Sequence, residues 1–171
     1  SYPIWTNPVG AEIAREHEKG SSMTDRAALR TLVLAVAALA TLFSLSFIAT
    51  PVKFLAADVP ISHLLAVGQV TFRASVAIES VLLFALFVST RGTSRRLIIV
   101  AIANVAIQWI VIMPELNNRT LALIAGAVVE PSSLHNWWIG LDVTRLAIYA
   151  FVVHTCAHHL RETARTNGLE S

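Results

Sequence analysis

From Thr31 through Thr50 the chain carries no charged side chain. A helix that crosses the hydrocarbon core of a bilayer needs roughly 20 predominantly apolar residues, so this run can cross unaided. Three further segments approach the same standard. Ile61–Thr90 is interrupted by Arg73 and Glu79, Leu97–Met113 is uncharged, and a run from Leu134 to Ala157 contains Asp142 and Arg145. The whole chain is 55% apolar and 14% charged, whereas an average soluble domain carries about 25% charged residues. A soluble globular domain and a disordered chain are both disfavoured. The pattern predicts an all-α integral membrane four-helix bundle, with spans over residues 28–50, 61–90, 97–113 and 134–157.

Local chemistry supplies the expected boundaries. Pro51 and Pro114 are read as ending the first and third spans, since proline cannot continue the helical ladder. Pro60 and Pro131 open the second and fourth, where a missing N–H costs nothing. Residues 1–22 are read as a cytoplasmic N-terminal arm, in which 9–19 form a short helix ended by Gly20. Residues 23–160 form the membrane domain and 161–171 a cytoplasmic tail. Between Glu115 and Ser133, the apolar stretch Leu121–Val129 is read as an interfacial or re-entrant helix over the outer mouth of the bundle. Ser1 is expected to follow a removed methionine, with Met23 as the alternative start.

Arginine and lysine are distributed unevenly. Arg15, Lys19, Arg26, Arg30, Arg91, Arg95, Arg96, Arg161 and Arg165 fall on one side of the spans, and Lys53 and Arg119 on the other. The side richer in Lys and Arg faces the cytoplasm, so both termini are expected there. The alanine-rich composition and the polar first 22 residues, which lack an apolar signal core, point to a bacterial inner membrane. The formal charge of +2 is too small for a nucleic-acid footprint. A single cysteine, Cys156, cannot build an internal disulfide framework or a cysteine-based metal site within the chain.

The second and fourth spans begin alike. Both contain His-x4-Gly-x4-Arg, as His63, Gly68, Arg73 and as His135, Gly140, Arg145, each a few residues after a proline. The chain can therefore be read as two tandem helical hairpins of the same orientation. At about 1.5 Å rise per residue, each arginine lies roughly 15 Å below its histidine, near the midplane.

Charges at that depth normally face the bundle interior with a partner. Arg73, Glu79, Asp142 and Arg145 sum to zero, and Asn104 and Gln108 of the third span fall at a similar level. These six are expected to form an intramembrane polar network. On the second span, Gln69, Arg73 and Ser80 share one stripe and Glu79 lies about 120° round the helix. The first span offers only hydroxyl groups and is expected to face lipid or a partner. His63 and His135 are candidates for holding haem or quinone between facing helices. His154, His158 and His159 gather at the cytoplasmic end of the fourth span without a metalloprotease pattern. No catalytic residue and no metal site is assigned.

The functional expectation is a non-catalytic accessory or structural subunit of a larger bacterial membrane complex. It would dock through its membrane helices and its N-terminal arm, where Tyr2, Ile4 and Trp5 are the apolar anchors. The expected partners are membrane lipids and other membrane subunits, with no nucleic acid. The alternatives are a small redox or ligand-binding protein with haem or quinone near His63 and His135, and a small transporter using the midplane charges.

Overall fold

In the computed structural model, residues 8–56 and 58–169 are described, with side chains over 25–56 and 58–166. Helix α1 (Pro8–Leu42) continues through a π-helical segment (Phe43–Ala49) and two short turns (Thr50–Val52, Lys53–Leu55). Helix α2 spans Ile61–Ser89. Helix α3 (Gly92–Ile107) runs through a second π segment (Gln108–Ile112) into α4 (Met113–Ile124), and α5 covers Leu134–Leu169. Four stretches are long and apolar enough to cross a membrane: Asp25–Leu55, Ile61–Ser89, Gly92–Ile124 and Leu134–Thr166. No strand occurs among the described residues.

Pro51 and Pro114 do not end the first and third spans. The helix passes through both, and each is prepared in the same way. Thr50 N–H bonds back five residues to Leu45 O, and Met113 N–H bonds back five residues to Gln108 O. The next residue in each case is the proline. A π turn is wider than an α turn, so it makes room for the pyrrolidine ring, whose clash with the carbonyl four residues earlier would break a regular helix. The Thr50 hydroxyl adds a 2.8 Å bond to the same Leu45 carbonyl.

Other boundaries also differ from expectation. Gly20 does not interrupt α1, so the expected arm helix and the first span are one continuous helix. The fourth helix extends through most of the expected tail. The apolar stretch after Glu115 is helical only to Ile124. Gly126, at φ +81°, ends it in a Schellman turn, with Ala127 N–H on Ala122 O and Gly126 N–H on Leu123 O. Residues 127–132 are non-helical, so no separate interfacial helix covers Leu121–Val129. Tyr2, Ile4 and Trp5 lie outside the described residues.

Each long helix buries a narrow stripe. On α1 it is Thr31, Ala35, Ala38 and Leu42; on α3 and its π segment Ile98, Ala101, Val105, Gln108 and Ile112; on α5 Trp138, Asp142, Arg145, Tyr149 and Val152. The spacing alternates between three and four residues, as in left-handed helix packing. The small side chains of α1 let neighbouring backbones approach closely. The helices form a closed ring: α1 packs on α2 and α5, and α3 packs on the same two. The first span is therefore not wholly given to lipid, although Leu29, Val33, Val36 and Ile48 on it remain exposed. The Thr31 hydroxyl bonds Ser89 O at 3.3 Å, tying α1 to the end of α2.

Candidate functional site

The α5 stripe carries three groups at spacings of three and four residues, Asp142, Arg145 and Tyr149, so all three point to one side of the helix. That side faces Glu79 on α2 and Gln108 at the start of the second π segment. Arg145 and Asp142 are each 1% exposed, Glu79 is 2% and Gln108 is 0%. Arg145 Nη1 lies 3.0 Å from Glu79 Oε2, close enough for an ion pair but without hydrogen-bond alignment. Arg145 Nη2 donates to Asp142 Oδ1. Gln108 Nε2 donates to the same oxygen at 2.7 Å and to Trp138 O at 3.1 Å. The Tyr149 hydroxyl donates to Glu79 Oε1 at 2.7 Å. Together these contacts bind α2, α3 and α5 at one level inside the bundle.

The satisfaction is incomplete. Arg145 Nε, Gln108 Oε1 and Asn104 Nδ2 are buried without partners among the described residues. Asn104 is buried nearby on α3 but makes no side-chain bond to the cluster. More consequential is the charge count. Arg73 was expected to balance the network, and it is not there: its side chain is exposed. Two carboxylates therefore face one guanidinium in the interior. Helix phase is the cause. The Gln69–Arg73–Ser80 stripe and the Glu79 stripe lie on different sides of α2, and the bundle buries the second.

Arg73 lines instead an outward groove between α2 and α3, with about 540 Å³ of open space and walls that include Val76, Phe84, Val105 and Trp109. The buried indole N–H of Trp109, on the same groove, has no acceptor among the described residues. No carboxylate among the described residues comes within ion-pair distance of Arg73.

A cavity of about 690 Å³ opens at the end of the bundle away from the chain termini. Phe47, Phe54, Leu123 and Trp138 contribute apolar wall, Arg119 and His135 stand near its entrance, and Asp142 lies two turns deeper along α5. Arg119 donates to Glu130 O across the same entrance. A smaller adjoining cavity of about 150 Å³ shares His135 and Phe72 and adds Lys53, Gln69 and Asn117. The Lys53 ammonium lies over the Phe72 ring, in space that Gly68 leaves open. Gln69 Nε2 donates to Asn117 Oδ1 at 2.9 Å.

The two histidines of the repeat do not share these cavities. His135 lines both, whereas His63 is exposed on the first turn of α2 and lines neither. The glycines diverge likewise: Gly68 is buried and Gly140 exposed. At the opposite end of the bundle, His158 Nδ1 lies 3.3 Å from Glu162 Oε2 and His159 Nε2 lies 3.7 Å from Asp25 Oδ1, both near the surface. Among the described residues no three His, Cys, Asp or Glu side chains gather as a metal-binding group.

Tyr149 and the Trp138 carbonyl were absent from the sequence reading. The signal was present for Tyr149, which continues the Asp142–Arg145 stripe at the next heptad step. A backbone carbonyl acting as an acceptor leaves no trace in side-chain identity. Comparison with protein-family models, with curated proteins and with solved structures returns no match.

Proposed function

We propose that the chain is a non-catalytic accessory subunit of a larger membrane protein assembly, joined to its partner along the α2–α3 groove. The observation that supports this reading is Arg73. It occurs near the middle of an apolar span, exposed, with no carboxylate among the described residues to meet it. On insertion scales a charge at that depth costs about 2.5–3.5 kcal/mol. A partner helix bearing Asp or Glu at the matching level would offset that cost. A second copy of this chain is a poor candidate, because its own mid-span carboxylates, Glu79 and Asp142, are buried.

The rest of the reading follows from the sequence. Arginine and lysine placement assigns both termini to the cytoplasm, and composition suits a bacterial inner membrane with lipids around the remaining apolar faces. The alternative of haem or quinone held jointly by His63 and His135 has less support, since only His135 borders the cavities. A transporter built on the midplane charges is weakened by the separation of Arg73 from the buried carboxylates.

The test is native mass measurement of the protein extracted from its own membrane in mild detergent, with mass spectrometry of what accompanies it. A larger assembly is expected from the wild type and from Arg73→Lys, and its loss from Arg73→Leu. A wild-type species of monomer mass carrying only lipid would overturn the reading.

A further inference from the structure

We infer that the cavity above Asp142 is a binding site for a lipophilic organic cation, with the charged head against the Asp142 carboxylate and the apolar body among the aromatic and aliphatic walls. Three independent observations carry this. First, the cavity has a suitable size and character. Ligand sites typically enclose roughly 300–1,000 Å³, with mostly apolar walls and a few convergent polar groups, and this one holds about 690 Å³ beneath Phe47, Phe54, Leu123 and Trp138.

Second, two carboxyl groups stand beneath it against one guanidinium. Glu79 and Asp142 share only Arg145, and all three are almost wholly buried. An uncompensated ion in an apolar interior carries a desolvation penalty. A monovalent cation at the cavity floor removes it, and a neutral or anionic head does not. Arg73, the one other mid-span cation, is on the outer face of the bundle.

Third, Asp142 has an unused acceptor. Arg145 and Gln108 both bond to Oδ1. Oδ2 has no hydrogen-bond partner among the described residues, and Asp142 itself borders the cavity. Arg119 and Glu130 line the same cavity, and Lys53 lines the smaller one beside it. Arg119 lies on the α4 side and bonds the Glu130 carbonyl, while Asp142 is the carboxyl group that lines the deeper part of α5.

The experiment is equilibrium dialysis of radiolabelled tetraphenylphosphonium against the full chain in lipid nanodiscs, with empty nanodiscs as the blank. Saturable binding is expected for the wild type and for Asp142→Glu. Asp142→Asn is expected to weaken it at least tenfold. Glu79→Gln, which touches no cavity wall but removes the excess charge, is expected to weaken it as well. Arg73→Gln, whose side chain lines the outer groove and not this cavity, should leave it unchanged. Absence of saturable wild-type binding, or wild-type affinity in both Asp142→Asn and Glu79→Gln, would overturn the assignment. Because Glu79→Gln keeps a paired Arg145–Asp142, it serves as the folded variant should Asp142→Asn assemble poorly.

Discussion

Inside the bundle the Arg145 guanidinium of α5 lies 3.0 Å from the Glu79 carboxylate of α2, the helix across the ring, and neither side chain reaches the surface. The pair crosses from α5 to α2 and, together with the Tyr149–Glu79 hydrogen bond, fixes the register of the two helices. Its removal is not symmetric. Arg145→Leu strands two carboxylates in the interior and is expected to destabilise by about 3–5 kcal/mol, the usual result of breaking a buried pair by deleting one partner. Glu79→Gln leaves a neutral Arg145–Asp142 pair and should cost only about 1–2 kcal/mol. Tyr149→Phe removes the hydroxyl that donates to Glu79 and should fall in the range of about 1.5–3 kcal/mol, as for a hydrogen bond to a charged group. Denaturant titration in a fixed detergent, followed by helical signal, gives the ranking. Equal losses for Arg145→Leu and Glu79→Gln would show that the charge balance inside the bundle is not as described.

The two π segments lead to a sharper expectation. If the wide turn at Gln108–Ile112 exists to admit the ring of Pro114, then removing one residue from it, such as the exposed Ile110, forces the ring against a carbonyl. That deletion alone should destabilise by about 3 kcal/mol or more. Pro114→Ala alone should be mild. The deletion combined with Pro114→Ala should recover most of the loss, because the segment can then become a regular α-helix. Thermal unfolding of the three variants in the same detergent decides it, and a deletion that is equally harmful with and without Pro114 would refute the idea.

The glycines separate backbone need from packing need. Gly126 adopts φ +81° with open space around it, so Gly126→Ala should cost about 1 kcal/mol through backbone strain alone. Gly140 is helical, and nothing lies within 4 Å of an added Cβ. Gly140→Ala should therefore be neutral or gain up to about 1 kcal/mol of helix propensity. Opposite signs for the two substitutions in the unfolding assay are the expected result.

Much of this architecture was readable from residue identity. The number of long apolar helices and the start of α2 at Ile61 follow from runs too apolar for water and from where proline tolerates a helix start. The chemistry of the buried cluster was partly readable too, since Glu79, Gln108, Asp142 and Arg145 are polar groups within such runs. The spans themselves ran longer than expected. Proline as a stop signal assumes a regular α-helix behind it, and a preceding π turn removes that assumption at Pro51 and Pro114. Gly20 likewise fails to stop α1, because an isolated glycine only weakens a helix and does not break it.

By itself the sequence determined that the chain has helices able to cross a bilayer and that charged groups would stand at mid-depth, because composition and run length settle both. Tertiary structure alone decided which arginine goes inside. Arg73 and Arg145 occupy equivalent places in the two His-x4-Gly-x4-Arg repeats, and no local feature ranks them. A helix in a ring of four buries only one narrow stripe. On α5 the packed stripe runs through Trp138, Asp142, Arg145 and Tyr149. On α2 it runs through Glu79 and leaves Arg73 about a third of a turn away, facing outward. That difference in phase, set by which neighbours pack where, puts one of two matching residues in a buried ion pair and the other on the outer surface.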